Sequence, residues 1–178
     1  MKRKIFVTSD TFLGRIEILD IANRPFEAIG EMNEAIIEKW NAVVGPDDIV
    51  YHLGNLAWTP LEAEDILIRL NGRIKLLMGD YDDAALEISR YLKDKIEIIP
   101  LAFYKEPKTN TILSHWPMLD WPGKDKGVFH FHGHSLFDHP TDLTISNRIN
   151  ACADNWSYQP QEISGLIELF KDFKNQKK

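Results

Sequence analysis

Between residues 4 and 93, short β-rich runs alternate with helix-length amphipathic stretches. That alternation dictates parallel strands joined by helical crossovers. Lys4 to Ser9 is the first strand run and ends at Asp10. Residues 10–26 contain Gly14 and Pro25 and show no clear period, so they read as a loop. From Glu27 to Val44 the apolar residues Ile29, Met32, Ile36, Trp40 and Val43 fall at helical steps, and Gly45-Pro46 stops the pattern. Asp48 to Leu53 is a second strand, closed by Gly54-Asn55. Thr59-Pro60 opens a helix with a cap and a first-turn proline; it runs to Leu70 and ends at Asn71-Gly72. Arg73 to Met78 is the third strand, and residues 84–93 read as a short helix with Leu86, Tyr91 and Leu92 inward.

The second half is patterned differently. Ile96–Ile99, Ala102–Lys105, Thr111–Leu113, Val128–Phe131 and Leu143–Ile149 are short strand candidates with no helix-length pattern between them. They suggest a second, more antiparallel sheet. Ile163 to Phe173 is a terminal amphipathic helix carrying Ile163, Leu166, Ile167 and Phe170 on one face. The 178 residues suit one domain, without internal repeat or interdomain linker.

Polar residues cluster at the strand ends. They are Asp10, Asn55, the run Gly79-Asp80-Tyr81-Asp82, His115, and His130, His132 and His134 around Gly133. In an α/β fold such groups converge on one crevice at the carboxyl ends of the strands. Asp, Asn and His are donors suited to Mn, Fe, Zn or Mg. A turn with solvated acids is the competing reading of residues 79–83. Without a cation, Asp10, Asp80 and Asp82 would repel, and at least one of their pKa values should rise.

The order Asp10, Gly54-Asn55, Gly79-Asp80-Tyr81-Asp82, His115, Gly133-His134 resembles the calcineurin-like metallophosphoesterases. The flanking blocks Val7-Thr8-Ser9-Asp10-Thr11, Arg24-Pro25-Phe26, Tyr51-His52-Leu53-Gly54 and Ser114-His115-Trp116-Pro117-Met118 resemble a small bacterial and phage subgroup. The likeness covers residues 4–160 and implies an α/β fold, a four-layer αββα sandwich with two mixed sheets, over a single domain of residues 1–178. It also implies two metals. The positions of the first fall on Asp10, Phe12, Asn55 and Leu136, of which Phe12 and Leu136 have no donor atom, so this metal position is expected to be empty. The positions of the second fall on Asn55, Asp80, His115 and His134, all able to donate. Tyr81 stands where the likeness places a catalytic His, and a phenol near pKa ~10 is a poorer acid at neutrality than imidazole.

The expectation is therefore a diverged family member holding at most one divalent cation (Mn, Fe, Zn or Mg), with weak or absent phosphoester hydrolysis and a role in binding a phosphate-bearing small molecule or a protein. The alternatives are a working one-metal hydrolase with Tyr81 or Asp82 handling protons, and a purely structural or interaction protein without metal. Arg15, on the loop lining the crevice, is the candidate contact for an anionic ligand, against an ordinary surface arginine. His52 and His132 read as packed histidines, His130 and His139 as exposed ones. Trp58, Trp116, Trp121 and Trp156 read as core or rim, with Trp116 and Trp121 candidates for stacking on a base or sugar; Phe12 and Leu136 are expected to pack together. A net charge of -6 argues against general nucleic-acid or membrane binding. The absence of a long apolar run and the single Cys152 fit a cytoplasmic protein. Oligomeric state is not legible.

Overall fold

The computed structural model describes residues 3–137 and 147–175. In chain order its elements are β1 (Ile5–Thr8), α1 (Glu17–Ile21), α2 (Ile29–Val43), β2 (Ile49–His52), α3 (Pro60–Arg69), β3 (Arg73–Leu77), α4 (Asp83–Ile88), β4 (Ile96–Ile99), β5 (Phe103–Glu106), β6 (Thr111–Ser114), β7 (His130–His132), β8 (Arg148–Asn150), β9 (Gln161–Glu162) and α5 (Ile163–Asn175). They form two mixed sheets. The first has the order β4-β3-β2-β1-β9, the second β5-β6-β7-β8. In the first sheet β1 to β4 are parallel, and β9 joins β1 antiparallel.

Two apolar cores hold the layers. Met32, Ile36 and Trp40 of α2 and Ala63, Ile66 and Leu67 of α3 pack on Phe6, Val50, Ile74, Leu76 and Ile96, one face of the first sheet. Strand alternation sends Val7, Tyr51, Leu53 and Leu77 to the other face, against Leu113, Phe131 and Ile149 of the second sheet. Ile163 and Leu166 of α5 close this inter-sheet core. The far side of the second sheet carries Ser114 and His130, and the buried Trp121 ring lies 5.0 Å from His130.

Local chemistry explains the element ends. Thr59 caps α3 by accepting from the Glu62 N–H, with Pro60 at the first helical position, as the sequence indicates. Other expectations need correction. The stretch 10–26 contains a short helix, α1, which the buried Ile18 anchors against the core. In α4 the inward residues are Ala84, Ala85 and Ile88, while Leu86 and Tyr91 are exposed, because the helix ends five residues earlier than its pattern suggests. The second sheet is not mainly antiparallel: β5 and β6 pair antiparallel, but β6–β7 and β7–β8 are parallel. The long connection of residues 115–129 lets the chain return in the same direction. His130 is fully buried, its Nε2 bonded to the Ser114 hydroxyl at 2.8 Å. His139 and residues 143–146 of the last strand candidate lie outside the described residues. Among the described residues, no helix is long and apolar enough to cross a membrane.

His52 is also fully buried, with Nε2 2.9 Å from the Thr11 hydroxyl. Burial pulls the pKa of both His52 and His130 down to about 3. Each folded value lies below the ordinary ~6.5, so between those limits the unfolded chain binds the extra proton. Stability from these two residues is therefore complete above pH 6.5 and is lost as pH falls towards 3. Asp10 and Asp82, whose folded pKa values are raised, act in the opposite sense. The check is a comparison: His52→Gln should flatten the stability profile between pH 4 and 6.5 by up to about 1.4 kcal/mol per pH unit relative to the parent, measured by urea unfolding at each pH. An unchanged slope would contradict a neutral buried His52.

Candidate metal centre

The register of the sheets sets the site. Thr8 pairs with His52 and His52 with Leu76, so β1, β2 and β3 release their loops at one level. Ser114 pairs with His132, so β6 and β7 do the same in the second sheet. The two sets of carboxyl ends meet across the inter-sheet seam. His115 Nδ1 lies 2.6 Å from the Leu53 carbonyl, and the His134 N–H donates to Asp10 Oδ2 at 2.8 Å.

Asp80, His115 and His134 bring one donor atom each within 4.8 Å of one another. His134 Nδ1 is 3.3 Å and His115 Nε2 3.6 Å from Asp80 Oδ2. A carbonyl only accepts, so His115 Nδ1 carries the proton that goes to Leu53, which leaves Nε2 as the ring nitrogen facing Asp80. That Nε2 is buried and has no hydrogen-bond partner. Buried polar atoms are rarely left unpaired, and one aimed at a carboxylate and a second imidazole fits a cation ligand. Gly79 makes room for this: a Cβ there would come within 2.6 Å of His115 Cε1 and 2.8 Å of Asn55 Oδ1.

Asp10 and Asn55, two further candidate donors, are engaged with each other. The Asn55 Nδ2–H donates to Asp10 Oδ1 at 2.8 Å, and the Ser9 hydroxyl donates to Asp10 Oδ2 at 2.6 Å. Asn55 Oδ1 accepts from the Tyr81 N–H at 3.1 Å. Asp82 is buried and accepts from three backbone N–H groups: Asn55 at 2.8 Å, Leu56 at 2.8 Å and Gly79 at 2.6 Å. It thereby clamps the loop after β3 onto the loop after β2. The pKa values of Asp10 and Asp82 do rise, but burial is the main cause rather than repulsion among the acids; the hydrogen bonds to each carboxylate oppose the rise.

The backbone around these residues is strained. Asp10, Phe12, Asn55 and His134 all have positive φ, at 56°, 51°, 58° and 67°. The left-handed region costs a non-glycine residue about 1 kcal/mol or more and persists only where the surroundings impose it. Here residues 10–13 are zipped to residues 54–56 by Asp10 N–H to Gly54 O, Phe12 N–H to Asn55 O and Leu13 N–H to Leu56 O, at 2.9 to 3.0 Å. From the other side Arg24 Nη1 and Nη2 donate to the Thr11 and Asp10 carbonyls, each at 2.7 Å. Nε and Nη2 of Arg24 also take the two oxygens of Asp154 at 2.9 and 2.8 Å. The sequence shows Arg24 within a recognisable block, but its partner lies 130 positions away and is not legible.

Phe12 is buried, and Leu136 packs against the same core. The Tyr81 ring is half-exposed, 6.1 Å from Phe12 and 5.7 Å from Trp58. The Arg15 guanidinium carbon sits 5.1 Å from the Phe12 ring, 4.3 Å from Trp58 and 4.9 Å from Tyr81. Trp116, half-exposed, meets His115 edge-on at 5.0 Å, while Trp121 is buried. Beside Asp80, Tyr81 thus belongs to an aromatic cluster with Phe12 and Trp58 that surrounds Arg15.

No family profile matches the chain. The chain superposes on a protein of unknown function, AQ665 of Aquifex aeolicus, with a TM-score of 0.70 at 20% identity, covering 94% of this chain and all of that one. An archaeal phosphodiesterase superposes with a TM-score of 0.52 at 16% identity, covering 90% and 98%. These likenesses establish the shared fold. In sequence, the gene 66 protein of Mycobacterium phage L5 is 24% identical over 156 residues, 72% of this chain and 75% of that protein. The uncharacterized protein MJ1445 of Methanocaldococcus jannaschii is 30% identical over 175 residues, 95% of this chain and 92% of that protein. At that identity over nearly the full length of both, the chain belongs to the family of MJ1445.

Proposed function

We propose that this chain is a diverged member of the metallophosphoesterase superfamily that holds one divalent cation through Asp80, His115 and His134 and binds a phosphate-bearing small molecule, with little or no dimetal hydrolysis. The observation that carries the reading is the buried, unpartnered Nε2 of His115, oriented by the Leu53 carbonyl towards Asp80 and His134. The fold shared with an archaeal phosphodiesterase supports the superfamily. Loss of the first metal position is supported by the buried ring of Phe12 and by the Asp10–Asn55 pair, in which an amide N–H meets the carboxylate. A donor set of two imidazoles and one carboxylate suits Zn, Fe or Mn better than Mg, which takes oxygen ligands. When bound, the cation would act as a Lewis acid on a phosphoryl oxygen. His115 would keep its ring fixed by its bond to Leu53, and Asp80 would balance the added charge.

Metal analysis tests the reading. The purified protein should take up one equivalent of Mn or Zn. Changing groups that merely orient metal ligands costs about 10–100-fold in affinity, so His115→Ala should lose at least as much. His134→Asn is the companion variant, because Asn tolerates the positive φ at that position. Equal metal uptake by the parent and both variants would refute the centre. A second reading, a working one-metal hydrolase, is favoured by the half-exposed Tyr81 beside Asp80. Turnover of a generic phosphodiester at ordinary rates of ~1–10³ per second with Mn present would establish that reading instead.

A further inference from the structure

We infer that Arg15, caged by Phe12, Trp58 and Tyr81, is the anion-binding group of this crevice and takes the oxyanion edge of a phosphoryl ligand. The inference deepens the proposed function and borrows from it only the class of ligand; the cage stands independently of the metal.

The side chain of Arg15 is 15% exposed, yet it is almost without partners. Its Nε is buried and unpaired, and among the described residues its guanidinium makes no hydrogen bond. The nearest carboxylate oxygen belongs to the exposed Glu17, 3.9 Å away and beyond hydrogen-bond reach. Arginine has five N–H donors, and a buried arginine normally satisfies them with carbonyls or carboxylates. Arg24, in the same loop region, does so in full. What holds Arg15 instead is three aromatic rings within 4.3 to 5.1 Å of its central carbon. Rings attract the guanidinium without accepting conventional hydrogen bonds from it, so the donors they do not cover keep their capacity for a ligand. A planar fork of donors matches the paired oxygens of a phosphoryl group.

The cage also adjoins the metal centre. Tyr81 follows Asp80 directly, and Phe12 and Arg15 follow Asp10 on one loop. The neighbouring acids Asp10 and Asp82 are buried and engaged by their own hydrogen bonds, so they do not compete for Arg15. Trp58 and Tyr81 are 39% and 47% exposed, so one side of the cage opens to solvent, where a ligand can enter.

The test is calorimetric titration of the full-length protein with inorganic phosphate, with and without Zn, beside Arg15→Met and Arg15→Lys. Loss of a charged hydrogen-bond donor should weaken phosphate binding about 10–150-fold in Arg15→Met, with metal uptake unchanged. Arg15→Lys should fall between, since it keeps the charge and loses the fork. Phosphate should quench or enhance Trp fluorescence in the parent but not in Arg15→Met. Should Arg15→Met fail to fold, Trp58→Leu removes one wall of the cage and should weaken phosphate severalfold. Equal phosphate affinity in the variants, no binding by the parent up to about 10 mM phosphate, or acetate competing as well as phosphate would each overturn the inference. A parent that takes up no metal but binds phosphate in an Arg15-dependent way would sink the metal reading and leave this one standing.

Discussion

Arg24→Met should cost about 3–5 kcal/mol of stability. The Arg24 side chain is completely buried, and that of Asp154 is 14% exposed. Two parallel N–H···O contacts join them; of the remaining donors, two reach the carbonyls of Thr11 and Asp10 and one the Met32 sulfur. Methionine fills most of the volume but removes the donors of two carbonyls and leaves the Asp154 carboxylate only the Cys152 thiol at 3.3 Å and the Tyr158 hydroxyl at 3.4 Å. A buried charge stripped of its partner is more costly than a pair that was never there. Hence Arg24→Met with Asp154→Leu should be less damaging than Arg24→Met alone. Lysine should not rescue, because one ammonium cannot serve two carboxylate oxygens and two carbonyls in this fixed geometry. The loop carrying Asp10 and Phe12 would also lose the brace that holds its positive φ angles, so metal uptake should weaken in whatever fraction stays folded. Urea unfolding of the single and double variants decides the matter. A loss below about 1 kcal/mol for Arg24→Met would mean that the residue is not a strut.

Asn55→Asp comes next, with an expected loss of about 3 kcal/mol or more at neutral pH in the absence of divalent cations. Asn55 Nδ2 lies 2.8 Å from Asp10 Oδ1, and both residues are buried. The substitution replaces an N–H donor with a second carboxylate oxygen at hydrogen-bond distance, so two oxygens face each other with no N–H between them, while the His134 and Tyr81 N–H groups meet only the outer oxygens. Two facing carboxylates are, however, an attractive place for a cation. Adding Mn or Mg should therefore recover part of the lost stability in the variant and leave the parent unaffected at this position. The measurement is urea unfolding with and without added cation. If Asn55→Asp matches the parent in chelator, the amide is not what neutralises Asp10, and the account of the altered first position fails with it.

The first half of the chain was legible because its signals are local. Thr59-Pro60 caps one helix, Asn71-Gly72 follows its end, and Met32, Ile36 and Trp40 mark a buried stripe at helical spacing. The second half misled because strand direction is decided by the length and path of connections, not by the strands' own residues. The connection of residues 115–129 looks like loop in sequence, yet it acts as a crossover between parallel β6 and β7. The burial of His130 is hidden in the sequence for a related reason. Its burial comes from Trp121 and Ser114, which only the folded sheet brings against it.

The site divides in the same way. By itself the sequence determined which donors stand at the strand ends, and it determined that Phe12 and Leu136 can coordinate nothing, because those are properties of single side chains and of their order. Only the tertiary structure decided that Asp80, His115 and His134 converge while Asp10 and Asn55 turn to each other, and that Arg15 rests among three rings rather than on a carboxylate. Those outcomes depend on the relative level of five loops from two sheets. That level is set by strand register and by buried bonds such as Arg24–Asp154, which join residues too far apart in the chain for any local pattern to announce.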